Sequence, residues 1–168
     1  MRQLTHCSAA QRGLTLVELM VTVAISGILM MAGLPFLGDY LNNSRLREAG
    51  NTALSSALYA QSEAIKRNGR VRLVIDGSTV QVIDRVGLAA AAEGTVLRTT
   101  ILPDGIRLAS VTMVDFGSEG RTWPTGTRQT FNFGKSGLTC SADVRCPGLV
   151  VEAGGSVRLC ADQTNCGN

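Results

Sequence analysis

The sequence predicts an α+β fold: one long N-terminal α-helix, a transmembrane half plus an amphipathic half, packed on an antiparallel β-sheet layer. Three observations lead there. Leu14 to Leu37 is apolar but for Thr15, Glu18, Thr22 and Ser26. A stripe of small apolar residues at three- and four-residue spacing then runs on to Ile65. From Arg70 onward the pattern changes to short alternating runs separated by glycines, the signature of strands and turns.

Each element can be justified in order. About twenty apolar residues suffice to cross a bilayer as a helix. Arg2 and Arg12 precede the run with no acidic residue, whereas Asp39, Arg45, Arg47 and Glu48 follow it and cancel. That asymmetry places the N-terminus in the cytoplasm and the rest of the chain across the membrane. Glu18 is the anomaly, because a carboxylate in hydrocarbon costs roughly 2.5–3.5 kcal/mol at mid-span. The helix continues with Leu46, Ala49, Ala53, Ala57, Ala60 and Ala64 on one face, and Leu54, Leu58 and Ile65 beside them. Gly33, Pro35 and Gly38 weaken or bend it near the membrane exit. Lys66 and Arg67 suit its C-terminal dipole, and Asn68-Gly69 reads as a left-handed stop.

The β region opens with a hairpin, "RVRLVIDGSTVQVID". Its turn is Asp76-Gly77 or involves the neighbouring Ser78. With Asp76-Gly77 central, Leu73 faces Val80 and Val71 faces Val82, which keeps the apolar side chains on one face. "GLAAAAEG" is a loop. "TVLRTTIL" is a strand ended by Pro103-Asp104-Gly105, and "IRLASVTMVDF" holds one or two more. "GSEGRTWPTGT" is a glycine-rich loop, within which Trp123-Pro124 is a local packing anchor. "RQTFNFG", "GLVVEA" and "SVRLC" are strands, the last two joined at Gly154-Gly155.

Composition narrows the chemistry. The 168 residues hold one modest domain plus a further segment. The only histidine, His6, precedes the apolar run. A chain without its leader has no histidine, which removes Ser-His-Asp triads, Cys-His pairs and His-ligated metals together. No catalytic constellation is left, so no enzyme and no cofactor is expected. Cys7 lies ahead of the run, while Cys140, Cys146, Cys160 and Cys166 crowd the C-terminus. Zinc sites use closer pairs, so these four read as two disulfides in an oxidising compartment. Three pairings are open. Local loops are the easiest to close, and longer ones stabilise more in the chain-entropy model. "GKSG" at Gly134–Gly137 lacks the upstream glycine of a phosphate loop, since Gln129 stands there, and reads as a turn.

An ordinary secretory signal carries a small-residue cleavage site after its apolar region, and "PFLGDYLNNS" offers none. Instead Gly13 follows Arg12 directly before the run. "RG-LTLVEL" resembles the class III signal of type IV pilins and type II secretion pseudopilins. The resemblance covers about residues 12–40. It implies that a prepilin peptidase cuts between Gly13 and Leu14 and methylates the amine of Leu14. Family members usually begin with Phe, so Leu14 is a departure, though still apolar. Glu18 takes the place of the family's fifth-residue glutamate, and Pro35 falls where these helices carry a proline. In assembled filaments that glutamate neutralises the amine of a neighbouring subunit. The resemblance thus implies that Glu18 is an assembly device setting axial register, because an ion pair is tolerated in an apolar core and a lone charge is not. It also implies a pilin-like fold. Residues 1–13 form a cleaved leader and 14–38 the transmembrane and filament-core helix. Residues 39–69 form its amphipathic continuation and 70–168 a periplasmic β-rich head.

The C-terminal part, from "TFNFGKSG" onward, resembles the GspH/FimT group of minor pilins and pseudopilins. That group ends in a strand, then Gly-Arg-x-Arg. The matching residues are Gly155, Ser156, Val157 and Arg158, so the first arginine is absent. In FimT-type members the motif is linked to DNA capture. Only Arg158 carries over, and a basic patch with Arg145, Lys135 and Arg128 would have to supply the rest. Sixteen basic residues less Arg2 and Arg12 leave fourteen against thirteen acidic, which is little charge for duplex DNA. The resemblance therefore implies first a FimT/FimU-like minor pilin that enters the pilus tip or priming complex. Its alternatives are a DNA-binding minor pilin for transformation and an H-type pseudopilin of type II secretion. The implied partners are the prepilin peptidase, other minor pilins, the major pilin and the membrane, with DNA as the weaker case. The implied location is the bacterial inner membrane, head periplasmic, and then the pilus or pseudopilus tip.

Overall fold

The computed structural model describes residues 15–89, 92–141 and 143–166, and of residues 34–36 the backbone alone. One helix, α1, runs from Leu16 to Lys66. It passes unbroken through Gly33, Pro35 and Gly38. The chain divides into two compact units between Gly38 and Asp39.

In the first unit the helix offers an apolar surface broken by the exposed Glu18. Leu16–Gly33 has a mean hydropathy of 2.0, and none of it is buried. It is long and apolar enough to cross a membrane. The hydroxyls within it turn inward to the backbone: Thr22 donates to the Leu19 carbonyl at 2.9 Å and Ser26 to that of Thr22 at 2.7 Å. Hydroxyls satisfied this way do not seek water and are tolerable in hydrocarbon.

In the second unit Leu46, Ala49, Ala53, Ala57, Ala60 and Ala64 are completely buried. Leu54 packs at the core's edge, whereas Leu58 and Ile65 are exposed. The buried stripe is therefore narrower than the sequence reading, and nearly all alanine. The helix ends in a Schellman motif. Asn68 adopts φ 50°, the Gly69 N–H donates to the Ala64 carbonyl at 3.0 Å, and the Asn68 N–H donates to that of Ile65 at 3.2 Å.

Nine strands follow among the described residues: β1 Val71–Asp76, β2 Thr79–Asp84, β3 Thr95–Ile101, β4 Ile106–Leu108, β5 Thr112–Phe116, β6 Thr122–Trp123, β7 Gln129–Lys135, β8 Gly148–Val151 and β9 Val157–Cys160. They form two sheets, in the orders β3-β2-β1-β5-β6 and β4-β7-β8-β9, and every pairing is antiparallel. The inward side chains of both, among them Leu73, Val82, Phe116, Phe131 and Leu149, join the alanine face in one core. This confirms the α+β class.

The hairpin register differs from that drawn with Asp76-Gly77 central. Leu73 pairs with Val82 and Ile75 with Val80. Gly77 and Ser78 are the two central residues, and Gly77 takes φ 54°. A glycine at the first central position is what a type II′ turn needs, and it moves the pairing by two residues. A two-residue shift keeps every side chain on its face, so the apolar set stays inside. Trp123, half exposed, lies on β6 within the glycine-rich loop, and the Arg70 guanidinium sits 5.9 Å from its ring centre.

Candidate functional site

Gly13 and Leu14, the cleavage site implied by the resemblance, lie outside the described residues, as do His6 and Cys7. Glu18 is the third residue of α1. The Thr15 hydroxyl accepts from the Glu18 N–H at 3.3 Å, which caps an otherwise unpaired donor of the first turn. The spacing T-x-x-E was readable as a capping signal. The Glu18 side chain is exposed and makes no ion pair among the described residues. It is thus a carboxylate on an apolar helix, open to a cation from outside this chain.

The four late cysteines pair locally, Cys140 with Cys146 and Cys160 with Cys166. Cys146 and Cys166 are buried. Further contacts hold the tail. The Gln163 N–H donates to the Cys146 carbonyl at 2.8 Å. The Arg128 guanidinium donates to the Cys166 carbonyl at 2.7 Å, and that of Arg158 to the same oxygen at 3.3 Å. Both arginines also flank Glu152, Arg158 at 3.0 Å and Arg128 at 3.5 Å. Asp162 caps the short 3-10 turn Gln163–Asn165. The Thr164 N–H and hydroxyl hold its carboxyl below the usual range, helped by the Arg145 charge.

The four basic residues singled out in the sequence do not form one patch. Arg128 and Arg158 clasp the tail. Lys135 donates to Asn42 Oδ1 at 2.7 Å, and the Arg145 N–H donates to Asn43 Oδ1 at 3.1 Å, both on α1. Ser156 stands where the family motif has its first arginine, and its carbonyl accepts from the Glu152 N–H at 2.9 Å. Gly134 and Lys135 end β7, and Ser136-Gly137 form the turn after it, closed by the Leu138 N–H on the Lys135 carbonyl at 3.1 Å.

Two arrangements escaped the sequence reading. Arg72 on β1 meets Asp115 on β5 with two bonds, at 2.5 and 2.8 Å, and this contact raises the Arg72 guanidinium further above its usual range. The buried Arg85 lies 3.8 Å from the same carboxylate and donates to the Ala89 and Ala92 carbonyls. No short-range signal marks such a cluster, since it exists only once β1 and β5 are paired. Gln61 on α1 donates through one amide nitrogen to the Gly120 carbonyl at 2.7 Å and the Gly155 carbonyl at 2.8 Å. A single carboxamide thereby ties two loops to the helix.

A membrane-length apolar helix leading into a head of two antiparallel sheets is the architecture of a pilin-like protein. The family model described as "Type II transport protein GspH" matches residues 49–166, and that of the "Prokaryotic N-terminal methylation motif" matches residues 8–34. The chain belongs to the GspH family. The type IV minor pilin FimU of Pseudomonas aeruginosa shares the fold, with TM-score 0.56, 18% identity and coverage of 71% of this chain and 91% of that one. A type IV major alpha-pilin of Moraxella bovis is 30% identical over 117 residues, 66% of this chain and 64% of that protein. This chain therefore spans just under two thirds of that pilin's length. The fimbrial protein EcpC of Eikenella corrodens is 27% identical over 138 residues, 79% of this chain and 84% of that one.

Proposed function

We propose that this chain is a minor pilin that enters the tip or priming complex of a type IV pilus. It is inserted in the inner membrane, cut between Gly13 and Leu14, and methylated at Leu14. The observation that carries the reading is Glu18, a carboxylate without an ion-pair partner among the described residues, on the apolar, unburied stretch Leu16–Gly33. A charge so placed is costly until a cation joins it. The new amine of a neighbouring subunit, brought in at one axial register, is such a cation. The head packs its own apolar residues and leaves its loops to neighbouring subunits. The prepilin peptidase, the other minor pilins and the major pilin are its partners.

A second reading, the H-type pseudopilin of a type II secretion system, is favoured by the description of the family model itself. One experiment separates the two. Surface pili are counted by electron microscopy in a deletion strain and its complemented parent, and secreted protein is assayed alongside. A sharp loss of pili with normal secretion is expected. Normal pili with blocked secretion would assign the chain to the secretion machinery. DNA capture through the C-terminal motif is disfavoured, since Arg158 is engaged by Glu152 and the tail carbonyl.

A further inference from the structure

A groove of about 510 Å³ lies between α1 and the C-terminal strands of the head. Tyr40, Asn43 and Arg47 line it from the helix, and Arg145, Pro147 and Leu159 from the head. Two guanidinium groups thus line one cavity, and no carboxylate is among its lining residues. Neither guanidinium makes an ion pair among the described residues, as is also true of Arg45, Arg70, Arg98 and Arg107, whereas Arg67, Arg72, Arg85, Arg121, Arg128 and Arg158 do. Asp162, outside the lining, feels the Arg145 charge, and its Oδ1 accepts from the Thr164 N–H and hydroxyl. The Asn43 amide is fixed as well, donating to the Asp143 carbonyl at 2.8 Å and accepting from the Arg145 N–H. The loop that carries Arg145 is therefore held against the helix, which gives the cationic cavity a built wall. Tyr40, Pro147 and Leu159 add apolar surface to the same lining.

We infer that this groove seats the phosphate of an anionic phospholipid head group. Two basic side chains match a phosphodiester, which guanidinium groups bind with paired hydrogen bonds. The apolar lining residues suit the glycerol and first acyl carbons. The choice of lipid rests on chain position. The apolar stretch ends at Gly33, and on the same helix Tyr40 begins the lining. Tyrosine is enriched at the head-group level of membranes, and basic side chains just beyond a span attract anionic lipid. The bound lipid would hold the head near the membrane before the chain leaves for a filament. The inference rests on membrane residence and not on the filament role, so it can fail while the role in assembly stands.

The test uses the full chain, purified in detergent and exposed to phosphatidylglycerol or phosphatidylethanolamine, with retained lipid counted by native mass spectrometry. A photoreactive phosphatidylglycerol maps the contact on the unaltered protein. Crosslinks to the segments around Tyr40–Arg47 and Arg145 are expected, with phosphatidylglycerol preferred. In the double variant Arg47→Ala, Arg145→Ala retention should fall roughly tenfold or more, on the scale of two basic contacts withdrawn from an anionic surface. The pair Arg47→Lys, Arg145→Lys should keep much of it, and Arg121→Ala should match the parent. Unchanged retention in the double alanine variant would overturn the inference, and so would crosslinks confined to the apolar span. Displacement of the lipid by inorganic phosphate would assign the groove to a soluble anion, and displacement by a duplex oligonucleotide would assign it to nucleic acid. Either result sinks the lipid assignment.

Discussion

At the scale of single residues, charge placement decides most of what can be tested. Glu18→Ala removes a carboxylate that no described residue of its own chain pairs. Membrane insertion and leader cleavage should stay intact, while the variant's share in sheared pili falls several-fold against its amount in membranes. Quantitative immunoblots of the two fractions check this, and an unchanged ratio would contradict a role in register. Glu63 behaves differently, because it finds its partners at home. Arg67 at 2.7 Å, and then Lys66 at 3.2 Å, hold its carboxyl below the ordinary 4.5. A lowered folded value means that the unfolded chain binds the proton more readily. The stabilisation is therefore complete above pH 4.5 and is lost as pH falls through the lowered value. Asp162 adds to the same trend from its own ordinary value of 3.8. Urea midpoints of residues 39–168, taken from about pH 6 down to about pH 3, should fall through this window. Glu63→Gln should make the fall shallower.

At the scale of elements, the alanine stripe sets how closely helix and sheets approach. Its six members leave no accessible surface. Ala57→Leu drives three extra carbons into a filled space and should destabilise by about 1–3 kcal/mol. Leu58→Ala, on the exposed side of the same helix, should stay within about 0.5 kcal/mol. Chemical denaturation of both variants decides whether the stripe or the neighbouring leucines carry the packing. The stripe was legible because a period near four survives any tertiary arrangement. So were most strands longer than three residues, since apolar runs and bounding glycines are local, though the division of "IRLASVTMVDF" into β4 and β5 was left open. The hairpin register was legible only to within two residues, because Asp76, Gly77 and Ser78 all suit a turn and the face is preserved either way. The two-residue β6 was not legible, as it exists only through its pairing with β5. The site divides along the same line. The motif around Glu18 is contiguous and could be read directly. The splitting of the four basic residues follows from sheet order and from where α1 passes, which no stretch of sequence encodes by itself.

At the scale of the whole molecule, the tail is secured by short-range ties. Each disulfide joins cysteines six positions apart, and Arg128 and Arg158 hold the Cys166 carbonyl in place. Short loops give modest entropic stabilisation, about 2 kcal/mol each in the chain-entropy model. Their larger consequence concerns biogenesis. A chain threaded out through a membrane channel presents its cysteines in order, Cys140 and Cys146 first, then Cys160 and Cys166. An oxidant that joins thiols as they emerge reaches the native pairing at once, with no mispaired form to shuffle. Accumulation of the protein should thus require the compartment's thiol oxidase and be indifferent to its disulfide isomerase. Steady-state levels in strains lacking one or the other would read this directly, and a dependence on the isomerase would mean that the pairs form out of sequence order.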